Sequence, residues 1–440
     1  MADELETRGL SRRELLKKAG VGAGGLAVAG SLAGPIWARP RAADADTTIK
    51  IGFVSPLTGA TAGFGEADPY IISLARKAFA KGLSIGGKKY SVQIVSRDSQ
   101  SAPSHAAQVA NDLIRSQNVD LILATSTPET VNPVADAAEA AGVPYITTVV
   151  PWEAWYFGRG AKDPTKSPFR YGYHFCFGVA DFATAYTHLW PQVATNKKVG
   201  VMWPNDADGN AIRAALGPIL EKAGYTIVDP GAYQDLTNDY SAQIQQFKTE
   251  GVQIFNTFPI PPDFATFWRQ AAQQGLTKQI RIAQIAKTGL FVSQVSALGS
   301  LGNGLASAFY WHKTWPYKSS LTGVTSKQLA DGSSTALHRP WNQSAGTSLA
   351  LFDVAAAALK KSGNPKDKNA VAAAVQKVKV ETPIGVVDWT KKRPGVPSNV
   401  VPTPILGGQW RKTNGKFEFV ICEHSGDPKV PVASKLKKYV

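Results

Sequence analysis

Short apolar runs alternate with amphipathic stretches over residues 49–285. The clearest instance covers residues 119–151, where the apolar run VDLILA leads into the hydroxyl-rich stretch TSTPETV. Four apolar residues at helical spacing follow between positions 134 and 141, and a second apolar run, PYITTVV, comes after Gly142. We therefore predict a strand, a loop, a helix and another strand, which together form one right-handed βαβ unit.

The same alternation occupies two successive parts of the chain. Residues 49–151 read as four strands joined by helices, and the pattern restarts within residues 169–285. This order predicts an α/β fold with two doubly wound parallel-sheet lobes. The order loosens after Gly302, where we expect a strand over residues 305–311, a loop up to Ser334, then two helices and a β-rich end.

Hydroxyl side chains gather where two neighbouring strands are predicted to end. Thr125, Ser126 and Thr127 follow the first apolar run, and Thr148 ends the next. Ligands of open parallel sheets bind outside the carboxyl ends of the strands, and a helix start there adds free N–H groups. This loop predicts half of a small-molecule pocket that binds a carboxylate or another acceptor oxygen. The alternative is that these hydroxyls only cap a helix.

The first 45 residues have the features of a twin-arginine export signal. SRRELLK is followed by a run of apolar and small residues, with cleavage expected after Ala38 or Ala45. A Gly-x-Gly-x-x-Gly pattern at Gly20, Gly22 and Gly25 lies inside this segment with no strand before it, so we do not interpret it as a dinucleotide site. We expect a soluble, periplasmic or otherwise extracytoplasmic protein.

Composition narrows the class of protein. A length of 440 residues favours two domains, and 44% hydrophobic against 18% charged residues is typical of a folded chain. The net charge is +15, but the lysines are scattered, and an exported protein seldom meets nucleic acid, so we expect no nucleic-acid partner. The two cysteines, Cys176 and Cys422, either form a bridge or remain buried thiols.

No motif for covalent or metal chemistry stands out. The chain lacks G-x-S-x-G and H-E-x-x-H, and its six histidines do not pair at metal-ligand spacing. We therefore expect no metal, no cofactor and no catalytic residue. An exported α/β enzyme with Asp98 or Asp208 in its cleft is the alternative, which a turnover assay would distinguish.

Several stretches together make the chain resemble the branched-chain amino-acid-binding proteins of ABC transporters, which are type I periplasmic solute-binding proteins. The resemblance covers nearly all of the chain after the signal. It is carried by IKIGFVSPLTGATAGFGE, RDSQSAPSHAAQVANDLI, the hydroxyl loop with ITTVVP, VGVMWPNDADGN and PIGVVDW.

The resemblance implies two lobes joined by a three-stranded hinge that closes on the solute. The crossings would lie near Cys176, Trp311 and Val380. Lobe 1 would then hold residues 47–175 and 312–380, and lobe 2 residues 176–311 and 381–440.

The resemblance also implies the ligand-binding residues. Phe64 would cover the solute, and the loop Thr125, Ser126 and Thr127 would bind its carboxylate. Backbone and hydroxyl groups after the fourth strand would complete this clamp, and lobe 2 would add an acid and an aromatic residue. These further positions are Thr148, Val149, Val150, Asp208 and Phe258.

Two departures from the family bear on the solute. Amino-acid binders pair the ligand ammonium with a glutamate where this chain has Ala286 and Lys287. Lys287 would attract a second acid or a polar oxygen, or else point to solvent, and Asp206 or Asp208 could supply the missing charge. Trp152 adds to an aromatic-rich set near the strand ends, which either covers lobe surfaces or favours an apolar or aromatic acid.

We therefore predict a monomeric binding protein that captures a small carboxylated or amide solute and delivers it to an ABC permease in the inner membrane. Hydrophobic amino acids, aromatic acids and short amides all suit the pattern. A ligand-sensing subunit that docks on a membrane receptor is a further alternative, which the sequence does not separate from transport.

Overall fold

A computed structural model describes residues 47–258 and 260–439. The export signal and both cleavage sites predicted for it lie outside the described residues. Within them, strands and helices alternate up to residue 309, as the apolar pattern predicts.

The first lobe is built on a seven-stranded sheet whose strands are mostly short and buried. The strand order is β14-β6-β5-β4-β1-β3-β2, and all pairs are parallel except β2 with β3. Every residue of β4 and β5 is buried, which is the burial expected when helices cover both faces of a sheet. The strands are β1 Thr48–Ser55, β2 Leu83–Ile85, β3 Lys88–Asp98, β4 Leu121–Thr125, β5 Tyr145–Thr148, β6 Gly172–Phe175 and β14 Val400–Val401.

The second lobe repeats this plan with an antiparallel edge. Its order is β16-β15-β11-β10-β9-β7-β8, in which β15 and β16 run antiparallel to their neighbours. The strands are β7 Lys198–Met202, β8 Thr226–Val228, β9 Ile254–Thr257, β10 Ile282–Ile285, β11 Ala306–Phe309, β15 Leu406–Thr413 and β16 Lys416–Ile421.

Helices cover both sheets. Those of the first lobe are α1 Asp68–Phe79, α2 Pro103–Arg115, α3 Pro128–Ala140, α4 Trp152–Tyr156, α10 Ser326–Leu337, α11 Ser344–Lys361 and α12 Lys368–Val375, with the hairpin β12 Lys379–Thr382 and β13 Gly385–Asp388 beside α11. Those of the second lobe are α5 Val179–Leu189, α6 Ala207–Lys222, α7 Ser241–Thr249, α8 Pro261–Gln273 and α9 Val292–Ala297. None of the helices described here is long and apolar enough to cross a membrane.

Two parts of the fold differ from the sequence prediction. Helix α10 lies largely within the stretch expected to be a loop. Thr325 and Gln328 form a reciprocal capping box at its start, and this local signal outweighs the many small residues that follow. Strand β14 lies in residues 381–440, which were assigned to lobe 2, yet it pairs with β6 of the first sheet. The chain therefore leaves the first sheet after Val401, not near Val380.

Candidate functional site

The hydroxyl loop occupies the end of β4 with an unusual backbone. Ser126 has a φ of 146°, which a residue with a side chain rarely adopts. Thr127 is the N-cap of α3 in extended conformation, and its side chain makes no capping hydrogen bond. The hydroxyls of Thr125 and Ser126 are buried without a hydrogen-bond partner in the described part of the chain. The local structure thus differs from simple helix capping, and it leaves polar groups available near a helix start.

The end of the neighbouring strand is constrained in the same way. Thr148 pairs with Thr125 across β5 and β4, and its hydroxyl donates to the Phe175 carbonyl at 2.6 Å. Val149 follows with a φ of 75°. For a β-branched residue this left-handed backbone is costly, so the surrounding structure must enforce it. Two strained turns therefore lie side by side at the carboxyl edge of the first sheet.

Aromatic side chains form the apolar walls between the lobes. Phe64 of the first lobe meets Phe291 of the second edge-to-face, with ring centroids 4.9 Å apart. Phe182 contacts both Phe177 and Phe258, at 4.9 and 5.1 Å. Phe177 also stacks on Tyr310 at 5.6 Å. Such a set provides a large, rigid apolar surface for a small solute.

A buried lysine pairs with two aspartates on the second-lobe side. The Lys287 ammonium lies 3.1 Å from an Asp206 oxygen and 3.0 Å from an Asp208 oxygen, and all three side chains are nearly inaccessible. Burial would lower the pKa of Lys287, but Asp206, Asp208 and Glu129 together raise it well above its ordinary value. Burial raises the pKa of Asp208 to about 7, and Glu129 and Asp206 add to this against the opposing effect of Lys287. The alternative that Lys287 points to solvent is therefore wrong, and its charge is already balanced by carboxylates.

One small cavity of about 40 Å³, partly continuous with solvent, lies between these groups. Six of the predicted binding residues line it. They are Phe64, Thr127, Val149, Asp208, Phe258 and Lys287.

The other five predicted residues do not line this cavity. Thr125, Ser126 and Thr148 lie buried beside it, and the Val150 carbonyl contacts His174 Nε2 at 2.8 Å. Trp152 lies over Gly178 and 5.8 Å from Phe157, so it packs at the first crossing.

Sequence reasoning missed several lining residues. Phe177 and Tyr310 follow the last strand residues before two crossings. Tyr310 belongs to the aromatic-rich set near the strand ends, but no local signal distinguishes either residue as a ligand contact. The residues added by the structure are Pro151, Phe177, Phe182, Ala286, Leu290, Ala308 and Tyr310.

Metal and disulfide chemistry find no support in the described residues. No group of three or more His, Cys, Asp or Glu side chains there is arranged to hold a metal ion. Cys176 and Cys422 are both buried and free, so the bridge considered from the sequence is not formed.

Comparison with known proteins gives a family match and a relative with a related solute-binding name. Residues 48–403 match the family described as periplasmic binding protein. A Leu/Ile/Val-binding protein homologue of Brucella melitensis is 24% identical over 359 residues, which cover 80% of this chain and 89% of the relative.

Two solved structures share the fold at low identity. A solute-binding protein of an ABC transporter from Rhodopseudomonas palustris, in complex with 3,4-dihydroxybenzoic acid, is 21% identical with a TM-score of 0.69, over 88% of this chain and 99% of that one. A branched-chain amino acid transporter substrate-binding protein of Streptococcus pneumoniae, in complex with isoleucine, is 17% identical with a TM-score of 0.64, over 85% and 99%. Since the family match spans most of the sequence, this chain belongs to the periplasmic binding protein family.

Proposed function

We propose that this chain is an extracytoplasmic solute-binding protein that encloses a small carboxylated or amide solute between two lobes and delivers it to an ABC permease. The observation that carries the proposal is the cavity lined by both lobes, with the hydroxyl loop on one side and aromatic rings around it. The two relatives with isoleucine and 3,4-dihydroxybenzoic acid indicate the size and type of solute to test.

In this proposal the solute carboxylate lies at the first-sheet edge. Thr127 and the helix start behind it, with Val149, provide backbone and hydroxyl groups for an anion, and the buried Ser126 adjoins them. The apolar body of the solute lies among Phe64, Phe258 and their aromatic neighbours. Thr125, Thr148 and Val150 support this clamp from behind.

The remaining steps concern export and assembly. We propose that residues 1–45 direct twin-arginine export and are removed, and that the protein acts as a soluble monomer in the periplasm. The protein is also proposed to bind its solute without altering it, because binding in this cavity requires no group that reacts with the solute.

A thermal-shift panel tests the proposal. We would heat the mature protein with isoleucine, leucine, phenylalanine, 3,4-dihydroxybenzoate and a short amide, and recover each solute afterwards for mass spectrometry. A bound solute at about a hundred times its Kd stabilises the folded state by about 2.7 kcal/mol. We expect at least one solute to raise the melting temperature and to be recovered unchanged. No shift with any solute, or recovery of a converted product, would contradict the proposal.

A further inference from the structure

Asp208 lines the cavity and carries one carboxylate oxygen that has no hydrogen-bond partner among the described residues. It lies in the first turn of α6, beside the N-cap Asp206, which accepts a hydrogen bond from the Gly209 amide at 2.6 Å. One Asp208 oxygen pairs with Lys287 at 3.0 Å, whereas the other, Oδ1, is buried with no hydrogen-bond partner among the described residues. Asp208 is 4% exposed and lines the cavity, so Oδ1 is a buried acceptor that lacks a donor.

The charges around Asp208 are predominantly negative. Lys287 and Asp206 face it from its own lobe, and Glu129 acts on it from α3 of the first lobe. Oε1 of Glu129 is likewise buried without a partner in the described part of the chain. Asp235 and Asp263 interact electrostatically with Lys287 and Asp206. The Cys176 thiol is the remaining titratable group that Asp208 affects.

This arrangement joins groups from both lobes. Helix α3, which carries Glu129, contacts α6, which carries Asp208. Three carboxylates, those of Asp206, Asp208 and Glu129, thus act on the single ammonium group of Lys287. Burial with nearby like charge raises the pKa of Asp208 to about 7, so the charged carboxylate is the unfavourable form in this arrangement.

We propose that Asp208 requires one positive charge when the lobes close, supplied either by an ammonium group of the solute or by a proton taken from solvent. The inference rests on the proposed function and makes Asp208 the residue that decides whether solute binding depends on pH. Lys287 then positions Asp208 and does not receive the solute's anionic group.

The two kinds of solute give opposite pH profiles. A solute without an ammonium group binds with proton uptake, because Asp208 has a higher pKa in the closed protein than in an open, solvated one. Its affinity is highest in acid, falls as pH rises from about 4 to about 7, and then levels off. An amino acid places its own charge beside Asp208, so the proton is displaced and affinity stays flat or rises across the same range.

Calorimetry in buffers of different ionisation enthalpy tests this with isoleucine and 3,4-dihydroxybenzoate. For 3,4-dihydroxybenzoate we expect uptake approaching one proton at about pH 6, and roughly a twentyfold loss of affinity between about pH 5.5 and pH 7.5. For isoleucine we expect no uptake. Uptake of equal size with both solutes, or with neither although both bind, would overturn the inference.

A matched pair of variants tests whether Asp208 is the group that takes up the proton. Asp208→Asn should abolish the uptake with 3,4-dihydroxybenzoate and weaken isoleucine binding at least about tenfold, which corresponds to about 1.4 kcal/mol. Asp206→Asn keeps the helix cap, because asparagine also caps, and should retain the uptake. Loss of uptake in both variants would assign the proton to the cluster as a whole and overturn the role of Asp208.

The wild-type measurement stands even if one variant folds poorly. Failure of every solute to bind would instead refute the proposed function, and this inference with it.

Discussion

At the scale of single residues, side chains at the site both contact the solute cavity and connect the two lobes. Phe64 lines the cavity and also packs edge-to-face on Phe291 of the other lobe. The Gln343 side chain bridges the lobes close by, donating to the Leu290 carbonyl at 3.2 Å and accepting from the Tyr310 amide at 3.0 Å. Solute contact and lobe contact are therefore linked at the same point of the cleft.

We predict that Phe64→Ala weakens solute binding about tenfold or more. The variant removes both the ring that covers the solute and an interlobe aromatic pair worth about 1 kcal/mol beyond its buried area. Titration calorimetry with the best solute of the panel measures the loss. Phe157→Ala is the matched control, since that ring is 41% exposed and lies outside the cavity. Equal affinities for the two variants would contradict the role of Phe64.

Residue identities were predictable where the chain order itself brings groups together. Thr125 and Thr148 lie at the ends of strands that pair directly, so their proximity follows from the βαβ pattern. The partners of Lys287 were not predictable in the same way. Asp206 lies 81 positions away, and only the neighbouring ends of β7, β9 and β10 bring the two side chains within 3.1 Å.

At the scale of elements, helix α4 is fixed in the first lobe by one buried arginine. The Arg159 side chain is fully buried, and its guanidinium lies 3.9 Å from the Phe169 ring and 4.9 Å from the Trp155 ring. Its Nε contacts Asp136 at 2.7 Å and its Nη2 donates to the Tyr145 hydroxyl at 2.9 Å. Through these hydrogen bonds and ring contacts, the planar guanidinium connects α4 with α3 and β5, next to the first crossing.

We predict that Arg159→Lys lowers the free energy of unfolding by about 2 kcal/mol. A lysine ammonium cannot stack as a plane between two rings while it donates in two fixed directions. Urea unfolding followed by tryptophan fluorescence measures the change. Arg213→Lys serves as the control because Arg213 and its partner Asp229 are each 27% exposed, and there we expect a change below about 1 kcal/mol. A similar loss of unfolding free energy in both variants would argue against a special role for the Arg159 contacts.

At the scale of the whole molecule, several buried carboxyl groups act on stability together. Burial raises the pKa of Asp353 to about 8, and those of Asp68 and Glu153 to about 7. A carboxyl group whose pKa is higher in the folded state stabilises the protein most below its unfolded pKa of about 4. That stability is lost as pH rises toward the folded value. These three groups should therefore lower the unfolding free energy between about pH 4 and pH 8, whereas the buried His174 and His312, whose pKa values burial lowers to about 3 and about 4, raise it up to about pH 6.5.

We predict that Asp353→Asn reduces this loss. Asp353 Oδ1 accepts from the Ser319 hydroxyl and the Leu321 amide, both at 2.7 Å, and asparagine keeps that acceptor without the charge. At about pH 8 we expect the variant to gain on the order of 1 kcal/mol relative to wild type, measured by chemical unfolding across the pH range. Asp331→Asn, on an exposed surface pair with Lys327, should leave the pH profile unchanged. A parallel profile for Asp353→Asn and wild type would contradict the prediction.

The sequence by itself determined the alternation of strands and helices, the two sheets and the hydroxyl loop, because these depend on local periodicity and on which strands follow one another. Only the tertiary structure decided that Val400–Val401 returns to the first sheet, that Lys287 is neutralised by Asp206 and Asp208, and that Tyr310 completes the cavity. The physical reason is that each of these contacts joins residues distant in the chain. Their energies depend on burial and on the charge of neighbours, neither of which is encoded within any local stretch.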